Sequence, residues 1–132
     1  MAELAPQPPA DLTSPVAIAA WHWDAGRLAF PATPQGDPVW PPRLAAPGTG
    51  APLTWHVSAG LGTVYAATAL HARDADPRSV VLIDLDEGVR MMSRVEGVSA
   101  AEVRPGLRVT ARFTAPDAEG SRIPVFVPVD AS

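Results

Sequence analysis

The carboxylates that lie closest together in this sequence are Asp84, Asp86 and Glu87, in the run D-L-D-E-G. Oxygen ligands of this kind suit a hard cation such as Ca²⁺. A calcium loop, however, needs further Asp or Asn ligands and a distal Glu at fixed spacing, and this run lacks them. A solvated turn between two strands is therefore the favoured interpretation, and a cation site is the alternative.

The other side chains with reactive potential do not form a catalytic set. His22, His56 and His71 lack metal-ligand spacing, and no serine stands in a G-x-S-x-G turn. The chain has no cysteine, which excludes disulfides and thiolate metal sites. All ten basic residues are arginine, which excludes a Schiff-base lysine and a phosphate-loop lysine. The sequence predicts no catalytic residue and no metal ligand, and it identifies no cofactor-binding residue.

A group of arginines in the C-terminal part leaves two interpretations open. Arg104, Arg108, Arg112 and Arg122 could form a basic strip on one face of the predicted strands. A solvated strand face is the favoured interpretation. The alternative is a patch that contacts a phosphate-bearing ligand, because the guanidinium group presents a fork of donors to anions.

Composition describes a small apolar domain rather than a nucleic-acid binder. The chain has 132 residues, 47% of them hydrophobic, with sixteen prolines, ten glycines and a net charge of −4. Binding that depends on counterion release needs a strongly basic surface, which this charge does not provide. No secretory signal pattern and no apolar run of membrane-spanning length is present, so we expect a soluble, cytoplasmic protein with no membrane partner.

A short helix is predicted near the N-terminus. Ser14-Pro15 has the signature of a helix start, with serine as the N-cap and proline in the first turn, and Gly26 provides a stop. The spacing places Ile18, Trp21 and Ala25 on one face of this helix.

Three tryptophans lie before residue 53, and their large rings need a cover. Trp23 points away from the predicted helix face, and Trp40 stands in P-V-W-P-P-R, whose prolines restrict the backbone around a large ring. The chain's own core could cover these rings, or they could form a docking surface, since tryptophan is enriched in interface hot spots. The docking hypothesis assigns partner binding to Trp21, Trp23, Trp40, Pro42 and Arg43.

From residue 53 onward, strand-like runs alternate with glycine-containing turns. The predicted strands are Leu53–Ser58, Thr63–Ala72, Ser79–Leu85, Val89–Val95, Leu107–Thr114 and the final run R-I-P-V-F-V-P-V. The turn D-E-G predicts a hairpin in which Asp84 lies opposite Arg90 and Ile83 opposite Met91. This number of short antiparallel strands favours a five-stranded, partly open barrel of the oligonucleotide/oligosaccharide-binding (OB) type, with an immunoglobulin-like sandwich as the alternative. The predicted division is an N-terminal segment, 1–52, and an OB-fold domain, 53–132.

Residues 31–52 have no helix or strand periodicity, yet they follow the order of a zinc-ribbon sequence. G-R-L at 26–28 precedes the segment and P-P-R at 41–43 lies within it. The positions at which such a ribbon carries cysteine hold Ala32, Gln35, Ala46 and Thr49. This order resembles the acyl-CoA-associated accessory proteins with a rubredoxin-like zinc ribbon and a C-terminal OB-fold (domain-of-unknown-function family 35).

The resemblance continues through the predicted barrel. Its motifs are S-A-G-L-G-T-V-Y at 58–65, L-I-D-L-D-E-G-V-R at 82–90, R-P-G-L-R-V-T-A-R-F at 104–113 and P-V-F-V-P at 124–128. The fold class is accordingly mainly β: a five-stranded OB-fold barrel preceded by a short helix and a degenerate, metal-free ribbon-like segment.

The resemblance implies a non-catalytic accessory subunit. Members of the family bind thiolase-like enzymes, or hot-dog-fold hydratases, and help to present acyl-CoA. The expected function here is to bind a thiolase-like enzyme that cleaves or forms carbon–carbon bonds, as in steroid or lipid side-chain metabolism, with a hydratase partner as the alternative. Because the thiolate ligands are absent, no zinc is expected, and a partner surface is expected to brace the segment in place of the metal.

Two other function classes are weaker. OB-folds often bind single-stranded nucleic acid, but that function needs stacking aromatics and a basic groove, and this chain has one tyrosine and an acidic balance. An independent enzyme would need the catalytic set that the sequence lacks.

Overall fold

The computed structural model describes residues 3–71, 73 and 76–129, and it confirms a mainly β fold with one α-helix. The helix, α1, spans Pro15–Asp24. The strands in the described residues are β1 (Glu3–Leu4), β2 (Ala29–Ala32), β3 (Thr54–Val57), β4 (Leu61–Leu70), β5 (Arg78–Leu85), β6 (Arg90–Ser93), β7 (Arg108–Phe113) and β8 (Pro124–Pro128). The predicted strand end at Ala72 lies outside the described residues.

Helix α1 starts as its sequence predicts. Ser14 is the N-cap, and its side chain accepts a hydrogen bond from the Ala17 amide at 3.4 Å. The buried residues of α1 are Ile18, Ala19 and His22. The predicted face was therefore wrong at Ala25, which is exposed because it follows the last helical residue and no longer obeys the helical period. None of the helices in this described part of the chain is long and apolar enough to cross a bilayer.

Strand β3 belongs to a small N-terminal sheet and not to the barrel. The order of this sheet is β1-β3-β2, and β3 pairs antiparallel with β2 from Ala29↔Val57 to Ala32↔Thr54. The sequence placed β3 with the barrel strands and predicted no strand at β2. All four residues of β2 are buried, so it shows no alternation of apolar and polar residues that could indicate a strand.

The larger sheet has the order β6-β5-β4-β7-β8, with antiparallel neighbours throughout. Its two outer strands meet through a parallel bridge between Val95, just beyond β6, and Phe126 of β8. Two backbone hydrogen bonds accompany this bridge, from Phe126 N to Arg94 O at 3.0 Å and from Glu96 N to Phe126 O at 2.7 Å. In the described residues, the sheet thus curls into a barrel that is joined at one bridge instead of along a full ladder.

The predicted hairpin register is confirmed. Asp84 lies opposite Arg90 and Ile83 opposite Met91, and the Leu85 amide donates to the Val89 carbonyl at 2.8 Å. Gly88 closes the turn at φ 105°, which a side chain would strain.

Core residues come from both predicted segments. The buried cluster includes Leu28, Phe30 and Ala32 before the barrel, together with fully buried barrel residues such as Ile83 and Phe126. The core is therefore not confined to residues after Leu53. The division at 52/53 into separate folding units stays a prediction.

Candidate docking surface

The ribbon-like segment keeps two tight turns where metal-binding knuckles would lie. The Gly36 amide donates to the Thr33 carbonyl, and the Gly50 amide donates to the Ala46 carbonyl, both at 2.9 Å. Of the four cysteine-equivalent positions, Ala32 and Ala46 are buried, whereas Gln35 and Thr49 are exposed. The alanines fill the inner side of each turn with a methyl group.

Hydrogen bonds within each turn replace part of what a metal would supply. Thr33 N donates to Asp37 O at 2.9 Å, and Asp37 N donates to Thr33 Oγ1 at 3.1 Å. In the second turn, Ala46 N donates to Ala51 O at 2.9 Å. Among residues 3–71, 73 and 76–129, no group of three or more His, Cys, Asp or Glu side chains is placed to hold a metal ion. The donor set of this segment therefore does not fit zinc.

His22 is the buried polar residue at the centre of the N-terminal part. It is fully buried on α1, between the rings of Trp21 and Trp55, whose centroids lie 4.8 and 5.5 Å from its own. Arg27 Nε donates to His22 Nδ1 at 3.0 Å, so that nitrogen carries no proton. Burial, and then the nearby Arg27 charge, lower the pKa of His22 to about 4.

Trp21 and Trp23 lie in different environments. The half-buried ring of Trp21 has the Arg27 guanidinium 4.9 Å from its centroid. Trp23 is also half-buried, packs against the barrel core, and has no hydrogen-bond partner for its buried Nε1 among the described residues.

Trp23 forms one wall of an apolar groove on the outside of the barrel. The groove has a volume of about 410 Å³ and runs from the end of β4 across β5 and β6 to β8. Its most exposed apolar side chains are Met92, at 69% exposure, Leu70, at 59%, and Ile123, at 46%. Large side chains left this accessible next to one another are typical of an interaction surface.

The remaining docking candidates lie on the ribbon-like segment. Trp40 is half-buried and packs against the barrel core, so its own chain supplies part of the predicted cover. Pro42 is half-buried and Arg43 is exposed. Trp23 and Trp40 both reach the same core, whereas Trp21 packs on His22.

The predicted arginine strip is interrupted at Arg108, which forms an ion pair. Arg108 binds Asp86 through two hydrogen bonds of 2.8 and 3.0 Å and also donates to Thr63 Oγ1 at 3.0 Å. The hydrogen bonds from Arg108 lower the pKa of Asp86, although both side chains are exposed. Arg104 and Arg112 are exposed, and Arg122 lies beside Gly26 near the end of α1. These contacts favour a solvated strand face.

Each carboxylate of the D-L-D-E-G run has its own partner. Asp84 pairs with Arg90, whose guanidinium also lies 3.5 Å from the Tyr65 ring centroid. Glu87 accepts from Ser58 Oγ at 2.7 Å and from the Ala59 amide at 2.9 Å. The carboxylates of this run therefore make separate structural contacts around the hairpin turn.

Among the groove residues, only Trp23 was a candidate from the sequence; the exposed apolar residues of the groove and the buried position of His22 were not found. One signal was available for Met92: two consecutive methionines in a strand point to opposite faces, so one of them must leave the core. Leu70 and Ile123 lie at strand ends, where alternation gives no direction.

Taken together, the exposed apolar and aromatic side chains among the described residues provide a surface suited to another macromolecule. Protein interfaces typically contain an apolar groove, aromatic rings and an exposed arginine such as Arg43, and these features are less typical of reaction centres.

Comparisons with known proteins give three findings. Residues 55–114 match the family described as the C-terminal OB-fold domain of ChsH2. The chain is 33% identical over 102 residues to the 3-oxo-4,17-pregnadiene-20-carboxyl-CoA hydratase alpha subunit of Mycobacterium tuberculosis (strain ATCC 25618 / H37Rv). That match covers 71% of this chain and 33% of the relative, so the chain spans about a third of the relative's length. A solved structure, the Ltp2-ChsH2(DUF35) aldolase, has the same fold, with a TM-score of 0.77, 24% identity, and coverage of 92% of this chain and 98% of that one.

Proposed function

We propose that this chain is a non-catalytic accessory subunit of an acyl-CoA-processing complex, because residues 55–114 match the family described as the C-terminal OB-fold domain of ChsH2. The observation that carries the proposal is the similarity to a protein named as one subunit of a CoA-thioester hydratase. The described residues agree with this role, since the apolar groove between Trp23 and Met92 provides a surface suited to docking.

The partner that we propose first is a thiolase-like or aldolase-type enzyme, in a hetero-oligomer. The structure with the same fold is titled an aldolase, and an aldolase cleaves or forms carbon–carbon bonds. The chemistry would be performed by the partner's residues on an acyl-CoA, and the relative's named substrate suggests a steroid side chain. This chain would support assembly or substrate presentation, in the cytoplasm and without zinc.

A second candidate partner is an acyl-CoA hydratase subunit, because the similar curated protein is named a hydratase alpha subunit. We rank single-stranded nucleic acid below both. Stacking on bases needs free aromatic faces, and the Arg90 guanidinium occupies one face of the one tyrosine, Tyr65.

Co-expression tests the proposal. The chain is produced together with each thiolase-like or hydratase subunit of the same genome, and complexes are separated by size-exclusion chromatography. We expect one stable complex, acyl-CoA turnover only when the partner is present, and no stoichiometric zinc by elemental analysis. Separate elution from every candidate, or turnover by the isolated chain, would overturn the proposal.

A further inference from the structure

Strand β4 has an open edge that no described residue pairs with. It pairs with β5 along nearly its whole length, from Gly62↔Leu85 to Leu70↔Arg78, but with β7 only over Leu61–Thr63. The register shifts between Val64 and Ala66, where an irregularity at Tyr65 turns β4 away from β7. Beyond this point, the segment Ala66–Leu70 has β5 on one side only.

The hydrogen-bond ladders of β5 show which backbone amides and carbonyls of β4 point to its open edge. Leu85 N donates towards β6, and alternate residues of a strand point their amides and carbonyls to opposite sides. Asp84, Leu82 and Val80 therefore bond to β4. Their partners in register include Ala66 and Thr68, which leaves Ala67 and Ala69 pointing to the open edge.

The open edge of β4 lacks the features that normally prevent an edge strand from pairing with another strand. Ala66–Leu70 reads A-A-T-A-L, with no charged residue, no proline and only small side chains before Leu70. In contrast, β8 begins and ends with proline, and β2 is bridged by Pro38. The 3₁₀ turn Ala100–Glu102 lies near β4 but forms no backbone hydrogen bond with Ala66–Leu70.

The unpaired backbone groups at this edge indicate which kind of ligand can bind there. Two amides and two carbonyls, spaced by one residue, are matched by the backbone of another extended strand. We infer that the edge of β4 at Ala67 and Ala69 receives an extended strand of the partner subunit, which continues the barrel sheet. The inference rests on the proposed function, because it assigns the edge to the partner.

A partner strand fits better than a second copy of this chain. A ladder of five residues buries much less than the about 1,600 Å² of a standard stable interface, so two copies joined at this edge alone would associate weakly. The outer face of β4 continues from Thr68 and Leu70 into the apolar groove at Met92. A partner can cover that groove with apolar side chains from the same segment, and it then gains both backbone hydrogen bonds and apolar burial.

Amide exchange followed by NMR tests this inference on the unaltered chain, alone and in the complex isolated by co-expression. We expect the Ala67 and Ala69 amides to exchange rapidly in the free chain and to slow about tenfold or more in the complex, as hydrogen-bonded ladder amides do. A complex that forms while these two amides keep their free exchange rates would overturn the inference and leave the proposed function standing. Failure to form any complex would overturn both.

A pair of variants tests the same edge by affinity. Ala69→Pro removes an outward N–H without removing a donor to β5, and Ala69→Val is the matched control that keeps the N–H in a strand-favouring residue. We expect about tenfold or greater loss of partner affinity for Ala69→Pro and little change for Ala69→Val. Equal affinities for the two variants, both folded by circular dichroism, would contradict the inference. If Ala69→Pro does not fold, the exchange experiment decides.

A second copy at the edge gives a different signature. Slow exchange of Ala67 and Ala69 in the isolated chain, increasing with concentration and accompanied by a doubled mass in light scattering, would overturn the assignment of this edge to a partner strand.

Discussion

At the scale of single residues, His22 is the side chain whose charge state the fold controls most strongly. Its ring is fully buried, and Arg27 donates to the nitrogen that a proton would occupy. Protonation must therefore break that hydrogen bond and place two positive charges together. The ordinary histidine pKa of 6.5 is lowered to about 4 by burial first and by Arg27 second.

The first prediction follows from the sign of this shift. In the unfolded chain His22 binds a proton near pH 6.5, whereas in the folded chain it does so only near pH 4. The contribution of neutral His22 to the free energy of unfolding is therefore retained above pH 6.5 and lost as the pH falls towards 4. Between pH 7 and pH 5, His22 should lower the free energy of unfolding by about 2 kcal/mol. Urea unfolding at both pH values measures the change.

Two variants isolate the contribution of this residue. His22→Gln cannot titrate, so its stability should change less between pH 7 and pH 5 than that of the unaltered chain. His71→Gln is the control for the loss of one histidine, because the side chain of His71 is exposed. The same pH dependence in His22→Gln and in the unaltered chain would show that other groups cause it.

Trp40 gives a second prediction, in which stability and binding are separated. Its ring is half-buried against its own core, so Trp40→Ala should lower the stability of the free chain by about 1–3 kcal/mol, less than the loss of a fully buried tryptophan. If the partner covers the rest of the ring, affinity should also fall by about 2 kcal/mol. Calorimetry of binding and thermal melting of the free chain are the two measurements.

The exposed Leu44 provides the control for this experiment, since Leu44→Ala lies on the same segment at 70% exposure. We expect little change in its melting temperature. If Trp40→Ala keeps its affinity for the partner but melts at a much lower temperature, Trp40 is a core residue and not a docking residue.

At the scale of elements, Glu87 fastens the β5–β6 hairpin to the connection between β3 and β4. Its carboxylate accepts from Ser58 Oγ and from the Ala59 amide, and the same hydroxyl accepts from the Gly60 amide at 2.9 Å. Ser58 is only 8% exposed, so loss of its partner leaves a buried hydroxyl unpaired. This contact joins the N-terminal sheet to the barrel.

The third prediction compares two neighbouring carboxylates. Glu87→Ala should lower the free energy of unfolding by about 1–3 kcal/mol, because it leaves the buried Ser58 hydroxyl without its acceptor. Asp86→Ala removes an exposed pair with Arg108 and should cost at most about 1 kcal/mol. Urea unfolding of both variants is the measurement, and an equal loss in the two would refute the role given to Glu87.

The sequence predicted correctly those elements whose geometry depends on a few neighbouring residues, such as a helix cap or a tight turn. Ser14 caps α1 as its type and position indicate, and the D-E-G turn fixes Asp84 opposite Arg90. Strand β2 escaped prediction because all its residues are buried, so that no periodicity distinguishes it. The groove was not predicted from the sequence, because its residues are far apart along the chain. Leu70, at the end of β4, and Ile123, just before β8, become neighbours only when the sheet curls.

At the scale of the whole molecule, one core serves both the N-terminal sheet and the barrel. Leu28, Phe30 and Ala32 belong to the same buried cluster as Ile83. A fourth prediction follows: the chain unfolds in one cooperative transition, and a fragment of residues 53–132 is far less stable than the whole chain. Calorimetry of the chain and circular dichroism of the fragment measure this. A fragment that melts cooperatively at the same temperature as the chain would establish 53–132 as an independent domain.

The bridge between Val95 and Phe126 bears on the order in which the chain can fold. The β4–β5 and β5–β6 pairs are local hairpins, which form quickly because little loop entropy opposes them. Contact between β4 and β7 instead spans 45 residues, as in the Arg108–Thr63 hydrogen bond, and β8 must then enter between β7 and the end of β6. Topologies dominated by such distant contacts fold in milliseconds to seconds. We therefore expect the local hairpins to form before β8 takes its place, so that Phe126 is among the last residues to enter the core.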